Sequence, residues 1–188
     1  MEVLTAYVRN SLPWEPKPSP SLGRAKEPPG FPEVAVTARP PADIQAILTV
    51  IGRRRTDYEG LRTDYEGRRV PSLDLARTNL GAANLSGVLL FATNLRATNL
   101  RGANLGHANL GEANLCNADL SGADLRHTNL CAANLRGANL DGADLGGADL
   151  SMARSVSQDQ INAACLDEKT SLPQGITRPS PCPTSSGD

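Results

Sequence analysis

Few side chains in this 188-residue chain have the types and spacing to do chemistry. There are two histidines, His107 and His127, and four cysteines, Cys116, Cys131, Cys165 and Cys182. A metal shared by the histidines would need a further ligand, and the candidate, Glu112, belongs to a different part of the repeat. No phosphate-binding loop, nucleophile elbow or His–Cys–carboxylate cluster is present. The expectation is a protein with no catalytic residue, no cofactor and no metal. The cysteines form no spaced metal or disulfide framework. Cys165 and Cys182 could meet in an oxidising setting, but a reducing cytoplasm is the simpler reading of so few cysteines. Formal net charge is −1, which provides no bulk attraction to nucleic acid or anionic lipid. No run approaches the length of a membrane span, and the first residues lack the shape of a signal peptide.

What could position any of these residues is a repeat. Leucine recurs every fifth residue from Leu75 through Leu80, Leu85, Leu90, Leu95, Leu100, Leu105, Leu110, Leu115, Leu120, Leu125, Leu130, Leu135, Leu140 and Leu145 to Leu150. The residue before it is Asn or Asp in every case but one, Leu89. Two before it stands a small or short residue, mostly Ala or Thr, and the two after it vary. Steps of five advance about 140° on an α-helix and would scatter the leucines around it. On a flat strand an odd step would turn every second leucine to water. The backbone must therefore bend once per pentad and return each leucine to one interior, as a solenoid does. Leu80 to Leu150, Leu90 apart, are the expected lumen residues. Asn and Asp suit the bends because their side chains bond nearby backbone and tolerate unusual φ.

The units A-N-L-R-G, A-N-L-G-H, A-D-L-S-G and A-D-L-R-H and their neighbours resemble the pentapeptide-repeat family. The resemblance implies an all-β fold, a right-handed, four-sided (quadrilateral) β-helix with four pentads to the coil. The flanks R-P-P-A-D-I-Q-A-I-L-T-V-I-G-R-R and S-Q-D-Q-I-N-A-A-C-L-D-E-K-T-S-L-P-Q-G-I-T-R-P resemble segments that precede and close the repeats in bacterial members. M-E-V-L-T-A-Y-V-R resembles a stretch that follows a membrane-anchored region in longer relatives, which implies a shortened or soluble form here.

The chain then divides into six parts. Residues 1–11 are a short helix or fragment, 12–41 a Pro-rich linker, and 42–54 an amphipathic capping helix with Ile44, Ile47, Leu48 and Ile51 on one face. Residues 55–69 carry a duplicated charged loop, with T-D-Y-E-G written twice. Residues 70–154 are the β-helix. Residues 155–188 hold a second capping helix, opened by a capping box of Ser157 and Gln160, and an extended tail. The two helices are expected to close the two ends of the rod.

On a twenty-residue coil, His107 and His127 should stack at about the sheet spacing of 4.8 Å, with Glu112 on the next side. Cys116 and Cys131 fall on different sides and should not pair. Arg96 and Arg136 share a side, Arg101 lies next to it and Arg126 elsewhere, so no continuous basic stripe and no direct nucleic-acid binding are expected. One break in the pattern stands out. Leu89 replaces the Asn, and Phe91 follows where other pentads are polar or small, so both should point outward as a possible partner contact. The functional expectation is a non-catalytic protein-interaction or scaffold module with an unknown protein partner. The family resemblance also implies an alternative, a DNA-mimicking protein that binds topoisomerase (gyrase). From residue 70 to 154 seven acids face six arginines, too balanced for a strongly negative rod.

Overall fold

A bend after every leucine resolves the five-residue period. A computed structural model describes residues 73–179. The expected short helix, linker, N-terminal capping helix and duplicated loop lie outside the described residues, as does Cys182. Each Asn or Asp position pairs in parallel with the residue twenty further on, from Asp74↔Asn94 to Asn134↔Arg154. Four pentads therefore make one coil, and the rod is the right-handed quadrilateral β-helix of the sequence expectation.

Each side of the coil is short: the small residue, the Asn or Asp, and the leucine. The next two residues make the corner. Ala83 N–H donates to Leu80 O at 3.1 Å, and this bond recurs around the rod. Only the second corner residue has positive φ, between 53° at Ala82 and 67° at Gly147, the pattern of a type II turn. This corrects one expectation. The Asn and Asp residues bond nearby backbone as foreseen, but the left-handed conformation falls two residues after the leucine. That position is filled by Gly, Ala, Asn, Arg, His and Glu, and never by a β-branched residue, whose side chain would clash there.

The backbone of a pentad is fully engaged. Leucine and second-corner N–H groups donate to the following coil, as in Leu80 to Asn99 O and Ala82 to Arg101 O. The Asn or Asp N–H donates to the preceding coil, as in Asn99 to Thr78 O. The small residue closes the turn. The fifth N–H, on the first corner residue, donates to the Asn or Asp side chain two residues before it, as Gly81 does to Asn79 Oδ1 at 3.2 Å.

Inside, the leucines from Leu75 to Leu150 are all buried. Ala83, Ala103, Ala123 and Ala143 stack beside them in the same core. Threonines enter the lumen where their hydroxyls reach a carbonyl: Thr78 and Thr98 Oγ1 both donate to Leu75 O, and Thr128 Oγ1 to Leu105 O.

Past residue 154 the coil continues with a substituted side. Helix α1, Gln158–Ala163, takes the place of the second side of a fifth coil, and its capping box of Ser157 and Gln160 is formed. Ile161 is fully buried where the next leucine of its column would stand. Gln160 Nε2 donates to Leu135 O and Ala138 O, carbonyls that flank the first corner of the fourth coil. The chain then resumes the ladder with Asp144↔Cys165 and Asp149↔Ser171. The offset grows to 21 and then 22 residues across these pairs. Arg178 holds the tail down by donating to the carbonyls of Asp167 and Thr170. Among the described residues no helix is long and apolar enough to cross a membrane.

The left-handed corner gives a direct test. Ala132 has φ 57°. Ala132→Val should lower stability by about 1–3 kcal/mol through strain alone, while Ala132→Gly should leave it equal or higher. Thermal melting of the two variants checks this, and equal melting of Val and Gly forms would contradict the turn assignment.

Candidate interaction surface

With the interior and the backbone committed, the outward chemistry lies at the corners and at the Asn/Asp columns. The third corner carries Ser86, Gly106, Arg126 and Gly146 in its first column and Gly87, His107, His127 and Gly147 in its second. His107 and His127 are exposed, and their rings stack with centroids 4.9 Å apart and planes 13° from parallel, as the register foretold. Gly147 continues the stack, since a Cβ there would lie 2.5 Å from His127 Nδ1. Parallel rings at that spacing hold equivalent nitrogens too far apart for one zinc ion, whose two Zn–N bonds of about 2.1 Å span at most ~4.2 Å. Glu112 belongs to the next corner, and among the described residues no group of three or more His, Cys, Asp or Glu side chains is placed to hold a metal.

Beside the histidines lies the only vertical pair of acids among the Asn/Asp columns of the repeats, Asp124 and Asp144. Elsewhere an amide can share its hydrogen with the group above, as Asn99 Nδ2 does with Asn79 Oδ1 at 2.7 Å and Asn139 Nδ2 with Asp119 Oδ1 at 3.2 Å. Two carboxylates cannot. Arg126 sits on this pair, donating from Nε and Nη2 to Asp124 at 2.9 and 2.7 Å, with Asp144 Oδ2 3.7 Å from Nε. The Arg126 hydrogen bond holds the Asp124 carboxyl below its ordinary value despite some desolvation. Asp167 is likewise held low, first by the Gly147 amide and then by Thr170 and Lys169.

His107, His127, Asp124 and Arg126 line a shallow depression of about 280 Å³ with Ser86, Asn104 and Gly106. Ser86 Oγ donates to Gly106 O at 3.0 Å and is tied to the corner. Cys116 and Cys131 are free thiols on different sides, as expected, whereas Cys165 is disulfide-bonded.

The fourth corner holds the break in the repeat. Leu89 keeps its place in the ladder opposite Asn109, so the register is undisturbed. Leu89 and Phe91 are half-buried, and do not project as freely as the sequence suggested. For Phe91 the reason is Gly111, the next residue in its column, where a Cβ would lie 3.1 Å from the ring. Phe91 lies down over that glycine. The large apolar side chain that does stand out among the described residues is Met152, 66% exposed, at the last corner of the same edge. Sequence reading passed over Met152 because it follows the last leucine, where a non-repeat residue raises no contrast.

Sequence reading also placed only four arginines. In the observed register Arg77 joins Arg96 and Arg136 on the first corner, and Arg154 stands on the side that leads into it. All four are exposed.

The family described as Pentapeptide repeats matches residues 74–106, 93–130 and 113–151, in eight copies. The rod belongs to the pentapeptide-repeat family. Among solved structures, the pentapeptide-repeat protein Rfr23 of the cyanobacterium Cyanothece 51142 is 36% identical over 52% of this chain and 65% of its own, with a TM-score of 0.48. A pentapeptide-repeat protein of the Arabidopsis thaliana thylakoid lumen is 30% identical over 53% of this chain and 58% of its own, TM-score 0.40. HetL of Nostoc sp. strain PCC 7120, involved in heterocyst differentiation regulation, is 34% identical over 58% of this chain and 51% of its own, TM-score 0.32. The chain thus spans less than two-thirds of each of these proteins. No curated protein matches it in sequence.

The Arg126 clamp has a pH signature. Asp124 has a lowered folded pKa, so its contribution to stability is present above the ordinary carboxyl value and is lost as pH falls through the folded one. Arg126→Gln should therefore melt below the parent at neutral pH, with the difference closing as pH drops below about 4. Melting curves across that range check it; a gap that stays constant into acid would remove the clamp as its cause.

Proposed function

We infer that this chain is a non-catalytic protein-interaction or scaffold module. The observation that carries the reading is the division of labour within the pentad. Three residues of each five are committed to ladder and lumen, and the two corner residues are left to be displayed in fixed register. Where potentially reactive side chains gather on the third corner, Ser86 is bonded to a carbonyl, Arg126 to two carboxylates, and the imidazoles stack on one another. A nucleophile must give its proton to a base, and Ser86, the hydroxyl of this cluster, directs its proton to the Gly106 carbonyl and not to an imidazole. The DNA-mimic alternative finds less support, because the Asp124–Asp144 pair is straddled by Arg126 and no column among the described residues carries a longer run of acids.

The cytoplasmic setting expected from cysteine usage stands against the Cys165 disulfide, a bond that persists in oxidising compartments. Helix α1 and residues 42–54 remain our candidates for the two lids of the rod. Removing residues 156–188 should uncover Leu135, Leu140, Leu145 and Leu150 and drive end-to-end association, read by light scattering. A monomeric, equally soluble deletion form would argue against the C-terminal lid.

Leu89 and Phe91 are the proposed contact for a protein partner. Among the described residues, the Phe91 amide has no acceptor of the kind Asn provides in the other pentads. Leu89→Asn with Phe91→Ser restores the repeat and should raise stability by roughly 0.5–1.5 kcal/mol for the regained hydrogen bond. If the pair serves a partner, affinity capture from the native cell with the full chain as bait should lose specific proteins relative to the parent. If instead the variant loses stability, the two residues serve an intramolecular contact. Unchanged capture with raised stability would leave them without a binding role.

A further inference from the structure

Charge on the rod is nearly balanced in total, yet it is sorted by position. The first corner carries Arg77, Arg96 and Arg136 and no acid, its other residues being Ala76, Ala97, Cys116, Asn117 and Gly137. The second corner carries one arginine, Arg101, and one acid, Asp141, two coils apart, and the fourth has Glu112 alone. The nearest acids to the first corner are both occupied within the ladder. Asp74 accepts from Asn94 Nδ2 at 3.0 Å, and Asp119 accepts from Asn139 Nδ2 and Ser121 N–H. Arg77, Arg96 and Arg136 form no ion pair with any described residue, in contrast to Arg126.

We propose that this arginine row is a docking strip for an extended acidic polypeptide segment, the partner's carboxylates pairing with Arg77, Arg96 and Arg136 along the rod axis. The inference deepens the interaction-module reading and rests on it. Coils rise about 4.8 Å each, so the row runs roughly 14 Å from Arg77 to Arg136. An extended chain advances about 3.3 Å per residue and covers that distance in four or five residues, and guanidinium groups offer forked donors matched to carboxylates. Arg154 stays outside the strip, since its Nε donates to Ala132 O at 3.1 Å, at the opposite end of that side. Small residues between the arginines keep the corner low, so a backbone can approach.

Nucleic acid fits less well. Phe91 is the sole Phe, Tyr or Trp among the described residues and lies on another corner, so the strip has no aromatic platform on which bases could stack. A duplex is broad and would bring its phosphates over the Asp74 and Asp119 columns that flank the row. A single acidic strand is narrow enough to avoid both.

The test uses the full chain and three labelled probes: an eight-residue polyglutamate peptide, an oligothymidylate of equal charge and a short DNA duplex. Fluorescence anisotropy at low ionic strength should show peptide binding that weakens steeply as salt rises. Arg96→Glu and Arg101→Glu change net charge equally, but only Arg96 is on the strip. Arg96→Glu should weaken peptide binding several-fold and R96E/R136E at least tenfold, with Arg101→Glu within twofold of the parent. An acid fits this turn position, since Asp141 occupies it on the second corner, and melting temperature confirms that each variant is folded. Absence of peptide binding at low salt, equal loss in the Arg96 and Arg101 variants, or tighter binding of either nucleic acid would overturn the proposal. None of those results touches the Leu89 and Phe91 capture experiment, so the broader reading can stand or fall separately.

Discussion

The fold depends on one short hydrogen bond, from the first corner N–H to the Asn or Asp side chain two residues earlier. A parallel ladder twenty residues around leaves that amide pointing at the bend, where no backbone carbonyl can meet it. All fifteen repeat Asn and Asp residues accept this bond through Oδ1. An amide or carboxylate on a one-carbon stem has the right reach; a longer Gln or Glu would have to fold back at an entropic cost. The same side chains then stack into columns, and the columns impose a second constraint. An amide can bridge to its neighbour above or below, whereas stacked carboxylates repel. Asp is therefore tolerated singly among Asn, and where two meet at Asp124 and Asp144 an arginine spans them.

The substituted fifth coil shows what the ladder requires and what it does not. Helix α1 has no strand geometry, yet it satisfies two carbonyls of the fourth coil through a side chain, Gln160, and fills the leucine column with Ile161. At the next corner Asp167 Oδ1 takes the Gly147 N–H at 2.8 Å, where earlier coils offer a backbone carbonyl. Thr170 is buried and its Oγ1 reaches Leu145 O, repeating the lumen threonine bond of Thr98 and Thr128. What is preserved is the set of donors, acceptors and buried volumes. Backbone shape at that end is free to change.

The sequence made the lumen legible because leucine spacing is a periodic signal that no other arrangement of five explains. Stacking of His107 over His127 followed from the coil length alone once four sides were assumed. The left-handed corner was hidden, because the residues there look unrelated; the clue is which types are missing, Val, Ile and Thr. Packing of Phe91 against Gly111 was hidden for another reason. It joins residues twenty apart through the absence of a side chain, and absence carries no pattern along a chain. The arginine row escaped because Arg77 lies at the second corner position and Arg96 and Arg136 at the first, so no single column contains it.

That split between corner positions bears on which displayed residues are costly to keep. The first corner position has ordinary backbone and accepts Arg96, Arg136, Asp141 or Gly146 without penalty. The second holds φ near 58° at Arg77 and His107 and 56° at His127, where a side chain other than glycine is strained by about 1–2 kcal/mol. Glycine stands at six such corners of the repeats, so the strain is avoidable in this fold. A rod selected for stability alone would place glycine at all of them. Bulky, charged or titratable side chains held at strained corners thus mark positions where display opposes stability. Arg77, His107 and His127 are such positions, and Arg77 lies at the head of the basic row.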